Sequence, residues 1–413
     1  MNKPIVIVGG GLLGCLTALR IANTTSRDVS LLESGDHILQ SLDPIEVGPD
    51  VVNNGFHSLE VPRDSGFAEF IQKTLRVPMT TRRQSRGLGI EGHMIAASAP
   101  ATDWPEPLRG IVPHEPLPLE SLNDTSWIPF EYQQLLSQVG QRYGGFDSGK
   151  HLLIPWFFPP NVLLQTDDEG DIFRNRVRTG EVTAFSVQPV SGLFGSVAAS
   201  LRRQLSESGV ETTLNSRVGA SPATLRAEVR DAVGFSDFDL VWCAPAAQLL
   251  RAVAPEQFPP LVPTRRIRVL ATIDVHSAGE IRPYTEVLFL DSNAIEVARM
   301  SPICSGANSF SRALVEMSFA PSDWSDVSEE SLAKAVEAFG IRYRIGASLR
   351  GFREVGETYS PPKGWDTSSK RMLEGAMKAV EGLLGSIIYF APFNMAKAWQ
   401  NSRKLASLVK TSR

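Results

Sequence analysis

The stretch IVIVGGGLLGCLTALRIANTTSRDVSLLESG, from Ile5 to Gly35, places Gly9, Gly11 and Gly14 at G-x-G-x-x-G spacing and Glu33 near its end. Glycines so spaced allow a tight turn, a close approach of backbone to a pyrophosphate, and close packing of a helix on a strand. A helix opening at Leu12 and Leu13 would aim free N–H groups and a positive dipole end at that pyrophosphate. An acid about twenty residues beyond the last glycine accepts hydrogen bonds from a ribose diol. Glu33, with Ser34 beside it, fills that role. The chemistry implied is a grip on a dinucleotide.

The flanking elements decide whether the glycines mean anything. Pro4 to Val8 is a short β-branched run that reads as a buried parallel strand, Leu12 to Ala22 has a helical pattern, and Val29 to Leu32 reads as a second strand ending at Glu33. Strand, glycines, helix, strand and acid together make the case. The string GLGIEG, Gly87 to Gly92, has the same glycine spacing. It follows the polar TTRRQSR and precedes no helical pattern, so a β-hairpin or looped turn is expected there. A single grip implies one tightly held dinucleotide and no separate nicotinamide domain.

Later segments extend the same open sheet. Ser191 to Val218 reads as loop, amphipathic helix, a stop at Gly209 and a short strand. Asp239 to Leu250 reads as a buried strand followed by a helix starting at Pro245. Gly385 to Val409 is strand, loop and long helix. Between them, RIRVLATIDV and RALVEMSF alternate as strands of a half-exposed sheet do, and SLAKAVEAF is helical. The expected class is α/β. A Rossmann-type dinucleotide-binding domain (segments 1–75, 185–255 and 355–413) is interleaved with an α+β substrate domain on a mostly antiparallel sheet (segments 76–184 and 256–354).

Composition narrows the partners. The chain has 413 residues, 41 basic against 45 acidic, and a net charge of −4. Nothing in that balance draws nucleic acid or an anionic membrane. No apolar run reaches the length of a membrane span. No signal peptide precedes the first strand, and Cys15, Cys243 and Cys304 are too far apart for a zinc site or a disulfide framework. A cytoplasmic protein acting on a small molecule is expected, with no metal, and a homodimer is left open.

At this point the blocks GLFGSVAASLRRQLSESGVETTLNSRV, DLVWCAPAAQLL and APFNMAKAW, read after the N-terminal grip, resemble one flavoprotein superfamily. It contains amine oxidases, protoporphyrinogen oxidases and UDP-galactopyranose mutases. The resemblance implies FAD rather than NAD, and a Rossmann-type FAD-binding domain. It implies that Gly9, Gly11 and Gly14 face the FAD pyrophosphate and Glu33 the adenosine ribose. By the same resemblance the Val218 backbone touches the adenine side, and Asn394 and Met395 lie beside the flavin ring, where a helix N-terminus stabilises negative charge. Asn394 reads equally well as a helix cap. Two departures stand out: no Gly-Gly-Arg turn follows the ribose acid, and Tyr389 to Pro392 replaces a Gly-Asp before the last helix.

Flavin chemistry asks the protein mainly for grip and orientation. His57, in NNGFHSLEVPR, occupies the place where the mutases carry a Gly- and His-containing loop by the flavin. Arg174, Arg176 and Arg178 alternate in IFRNRVR and on a strand would share one face suited to phosphates or carboxylates; the bland alternative is a solvated basic edge. Arg299 is a further candidate. Trp156, Phe157 and Phe158 read as core before pocket. The expected activity is an FAD-dependent oxidoreductase of the amine oxidase or protoporphyrinogen oxidase type, passing hydride from a small organic substrate such as an amine to flavin N5. The alternative is a UDP-galactopyranose-mutase-like isomerase of nucleotide sugars, and the third reading is a catalytically silent flavoprotein.

Overall fold

The computed structural model describes residues 3–54, 58–90, 92–96, 99, 101–103, 117–118, 164–165, 176–177, 180–218, 222–244, 264–276, 285–289, 297–303, 311–360, 386–388 and 395–411. The glycine unit forms β1 (Ile5–Val8), α1 (Leu12–Thr24) and β2 (Val29–Leu32). These strands belong to a five-stranded sheet in the order Glu211–Thr213, β2, β1, Asp239–Trp242, Ser386–Ile388, with every pairing parallel. A parallel sheet needs cover on both faces, and its central strands β1 and β2 are accordingly buried along their whole length, whereas the Glu211–Thr213 edge is polar. Alternate residues serve the two faces. Ile5, Ile7, Val29, Leu31 and Val241 join the core under α1, whereas Val6, Val8, Leu32, Leu240 and Trp242 pack against Leu225 and Val229 of the Pro222–Val233 helix.

The later blocks fall where their patterns place them. Ser191 to Val218 yields the Gly195–Glu207 helix, a left-handed Gly209 (φ 72°) and the Glu211–Thr213 strand. The last block yields the Ser386–Ile388 strand and the Met395–Thr411 helix. That helix lies along α1, where the Arg20 guanidinium sits 3.8 Å over the Trp399 ring and its Nε donates to Ser402 Oγ at 3.0 Å. The expected helix after Pro245 lies outside the described residues, as do Trp156 to Phe158 and Cys304.

A second sheet has seven strands in the order Ala347–Ser360, Thr264–Val275, Arg312–Phe319, Val297–Pro302, Glu286–Phe289, Arg86–Ile90, His93–Ala96. Only the pairing of Glu286–Phe289 with Arg86–Ile90 is parallel. The second glycine string is therefore a hairpin, turning at Gly92 with φ 79°. The Glu329–Arg342 helix, opened by a capping box between Ser328 and Ser331, covers one face with Leu332, Val336 and Phe339.

The other face receives a hairpin that follows β2 in the chain, Pro44–Val47 with Asp50–Asn53. Its Val47 and Val52 pack on Leu270 and Leu314. Gly48, left-handed at φ 58°, meets Gly351 so closely that a Cβ on Gly48 would stand 2.7 Å from the Gly351 Cα. Beside this contact the buried Asp50 carboxylate is held by Arg312 and by Arg350 Nε at 2.9 Å, and Arg350 also reaches Asp274 at 3.1 Å. Burial opposes ionisation of Asp50, but the two guanidiniums and Thr272 outweigh it and hold its carboxyl below the ordinary value. A depressed carboxyl contributes stability above the unfolded-state pKa and loses it as pH falls through the folded one. Asp50→Asn is therefore expected to lower unfolding stability at pH 7 by about 3 kcal/mol. In urea melts the gap to wild type should close as pH is taken below about 4.

Candidate functional site

The carboxyl ends of the parallel strands form the crevice in which such sheets bind ligands. Gly9 turns there with φ 108°, a conformation that disfavours any side chain, and a Cβ would stand 2.6 Å from the Ala244 nitrogen. A Cβ on Gly14 would run into the Gly9 carbonyl oxygen, so α1 rests directly on the turn. Around Gly11, by contrast, nothing lies within 4 Å of a built Cβ. Gly11 is the N-cap of α1, and no side chain caps the helix. The first N–H groups of α1 thus face open space with the positive end of the dipole behind them. That is the donor set a pyrophosphate takes.

Glu33 stands at the tip of β2. Its carboxylate accepts from the Gly10 N–H at 2.6 Å, the Gly35 N–H at 2.8 Å and the Ser34 hydroxyl at 3.1 Å. These bonds fix the acid over the glycine turn: Oε1 takes the Gly35 and Ser34 bonds, and Oε2, bonded to Gly10, retains a lone pair for a ribose hydroxyl. The segment after the Glu211–Thr213 strand runs alongside, with the Ser216 N–H donating to Glu33 O at 2.9 Å and Val218 packed on the apolar layer below. Beneath the turn, the Cys15 thiol donates to Gly10 O at 3.2 Å. Burial and the nearby Glu33 push it up, and burial pushes Cys243 up to about 12, so both stay protonated and serve as packing.

A left-handed turn follows Glu33 without a glycine to mark it. Leu39 adopts φ 61° and ψ 25°, a left-handed geometry usual for glycine, and a 3-10 turn follows at Gln40–Leu42. Leu39 N–H donates to Gly10 O at 2.8 Å.

A second feature lies between the seven-stranded sheet and a small antiparallel sheet of Leu59–Val61, Phe185–Pro189 and Met79–Arg83. An open recess of about 550 Å³, counting its solvent-filled mouth, is lined by Arg82 and Gln84, Ser186 and Gln188, Arg299 and Ser301. Ser58, next in sequence to His57, also lines it. Buried charges brace one side. Arg86 and Arg63 hold Glu60, the latter at 2.8 Å, Arg63 holds Asp64 at 2.7 Å, and Arg86 reaches Glu286 at 3.4 Å. Burial works against ionisation of Glu286, yet Arg299 and Arg86 keep its carboxyl below the usual range.

No protein-family model and no curated protein matches the chain. Solved structures do match. A reduced UDP-galactopyranose mutase superposes with a TM-score of 0.68 at 13% identity, covering 100% of this chain and 97% of its own. A protein described as a protoporphyrinogen oxidase from Exiguobacterium sp. 255-15 gives 0.62 at 12% identity, with 100% of each chain covered. A redesigned putrescine oxidase gives 0.54 at 11% identity over 99% of both chains. The chain shares its fold with these three structures.

Within this fold the expected site residues meet different fates. Gly9, Gly11, Leu12, Leu13, Gly14, Glu33 and Ser34 come together at the crevice. His57, Arg174, Arg178 and Asn394 lie outside the described residues. Met395 opens the last helix and packs partly buried on the core shared with α1. Arg176 is not on a strand: it and Val177 are helical, and its exposed guanidinium meets Glu181 at 3.3 Å. Local pairing along the chain has replaced the sheet partner that the alternating arginines require. Arg299 is bound to Glu286 at the recess.

Apart from Arg299, the recess residues were missed by sequence reading, although a signal existed. Arg82/Gln84, Ser186/Gln188 and Arg299/Ser301 are each polar pairs two apart, the spacing of one strand face. At the grip, Gly14→Ala is expected to destabilise the chain by about 2 kcal/mol or more, because backbone must move, while Gly11→Ala should alter stability by less than about 1 kcal/mol. Urea titration of both variants without ligand checks the difference.

Proposed function

We propose that the chain is an FAD-dependent enzyme, with an oxidoreductase acting on a small organic substrate as the leading reading. The observation that carries it is the uncapped α1 N-terminus over an open Gly11, with Glu33 tied back to Gly10 beside it. In this reading the N–H groups of Leu12 and Leu13 hold the pyrophosphate, Glu33 holds the adenosine ribose, and the Val218 backbone lies by the adenine. Asn394 and Met395 place the start of the last helix near the ring. Bound FAD would supply a hydride acceptor at its N5. The chain's own part is to orient a substrate and exclude water, with His57 as a candidate and a metal not required.

A second reading, an isomerase of nucleotide sugars like the UDP-galactopyranose mutases, draws on the recess. Its lining of guanidinium, amide and hydroxyl groups suits a polyhydroxylated, anion-bearing substrate better than an apolar amine. The two readings part on one experiment. Anaerobic mixing of the FAD-loaded protein with amines, alcohols or porphyrinogens bleaches the flavin if the first holds. Interconversion of a UDP-sugar only after chemical reduction of the flavin supports the second, and failure of both leaves the silent flavoprotein. For the grip itself, Glu33→Gln is expected to weaken FAD binding about tenfold. An unchanged dissociation constant in a fluorescence titration would remove Glu33 from the site.

A further inference from the structure

The loop from Asp36 to Asp43 forms a wall of the grip, and its conformation is costly. Leu39 is buried at 1% exposure with φ 61°, and a residue bearing a Cβ stays there only when its surroundings hold it. Leu39 N–H donates to Gly10 O, and the Ile38 side chain lies against Gly10 so closely that a Cβ there would stand 2.6 Å from its Cγ2. The remaining hold comes from a distant part of the chain. Arg202, on the Gly195–Glu207 helix, donates to the Ile38 carbonyl twice, from Nε at 3.0 Å and Nη2 at 2.6 Å. The same guanidinium pairs with Asp43, whose carboxylate also takes His37 Nε2 at 2.8 Å. One planar fork therefore clasps both arms of the loop.

We propose that Arg202 is a positioning residue for the dinucleotide. By clasping Ile38 and Asp43 it presses the loop onto Gly10, and so keeps the Gly10 N–H on the Glu33 carboxylate in the geometry a nucleotide needs. This clasp requires a guanidinium, because a lysine offers a point charge and cannot serve carbonyl and carboxylate as a fixed fork. The neighbouring Arg203 plays no such part, being exposed and paired with Glu207 of its own helix at 3.7 Å. The inference rests on the FAD reading and adds to it a residue far from the glycine motif.

The test is calorimetric titration of FAD, and of ADP as the half that touches this wall, into wild type, Arg202→Ala, Arg202→Lys and Arg203→Ala. Arg202→Ala should weaken FAD and ADP by a common factor of about ten to a hundred. Arg202→Lys should recover only part, and Arg203→Ala should match wild type. Without nucleotide, the Leu39 amide should exchange hydrogen faster in Arg202→Ala than in wild type. A folded Arg202→Ala that binds both ligands as wild type does, or that leaves Leu39 exchange unchanged, overturns the proposal. If Arg202→Ala does not fold, Asp43→Asn breaks one arm of the clasp, and its wild-type affinity would overturn it equally. Wild type that binds neither ligand removes the FAD reading and the proposal with it, whereas wild-type binding beside an unaffected Arg202→Ala removes this inference alone.

Discussion

Helix α1 can begin where it does because Gly14 carries no side chain over the Gly9 carbonyl and Gly9 carries none against Ala244. That steric allowance sets the helix N-terminus directly at the carboxyl edge of the parallel sheet. The absence of a capping side chain, the open space over Gly11 and the tie between Gly10 and Glu33 all follow from that placement. Were the turn wider, the N–H groups would point past the crevice and the acid would lie out of reach of the same ligand. A few missing methyl groups thus decide whether the sheet edge is a binding site.

The seven-stranded sheet is organised by a different constraint. The Pro44–Asn53 hairpin leaves the parallel-sheet unit and docks on the seven-stranded sheet through Val47, Val52 and the buried Asp50. At its far end Asn53 bonds Gly192 O and the Phe194 N–H, both at 2.8 Å, anchoring the start of the Gly195–Glu207 helix. The chain then runs towards Ser58 and the recess. Buried charge is costly unless paired, and around the recess Glu60, Asp64 and Glu286 each have guanidinium partners. The polar lining is held in place by that pairing.

Much of this was legible in the sequence where the signal is local. The β1–α1–β2 unit announces itself because glycines, strand pattern and acid sit within one short stretch. The string at Gly87 is separable from it by its flanks alone, and it forms the expected hairpin. The recess as a whole was not legible, since polar pairs two apart also mark any half-exposed strand, and only the approach of two separate sheets brings these segments together. Alternating arginines suit a strand, whereas Arg176 is helical and pairs with Glu181 a few residues on. Leu39 hides a left-handed turn because no glycine marks it. Arg202 and Arg203 are indistinguishable as letters, and only the rotation of their helix turns one of them towards the loop.

The central claim is that the open α1 N-terminus with Glu33 holds FAD. The most direct test is the visible spectrum of the purified protein, followed by mass spectrometry of whatever heat releases from it. The account predicts flavin bands and released FAD, or their appearance once FAD is added. A colourless protein that takes up no added FAD would contradict it, and would leave the glycine turn as a packing device.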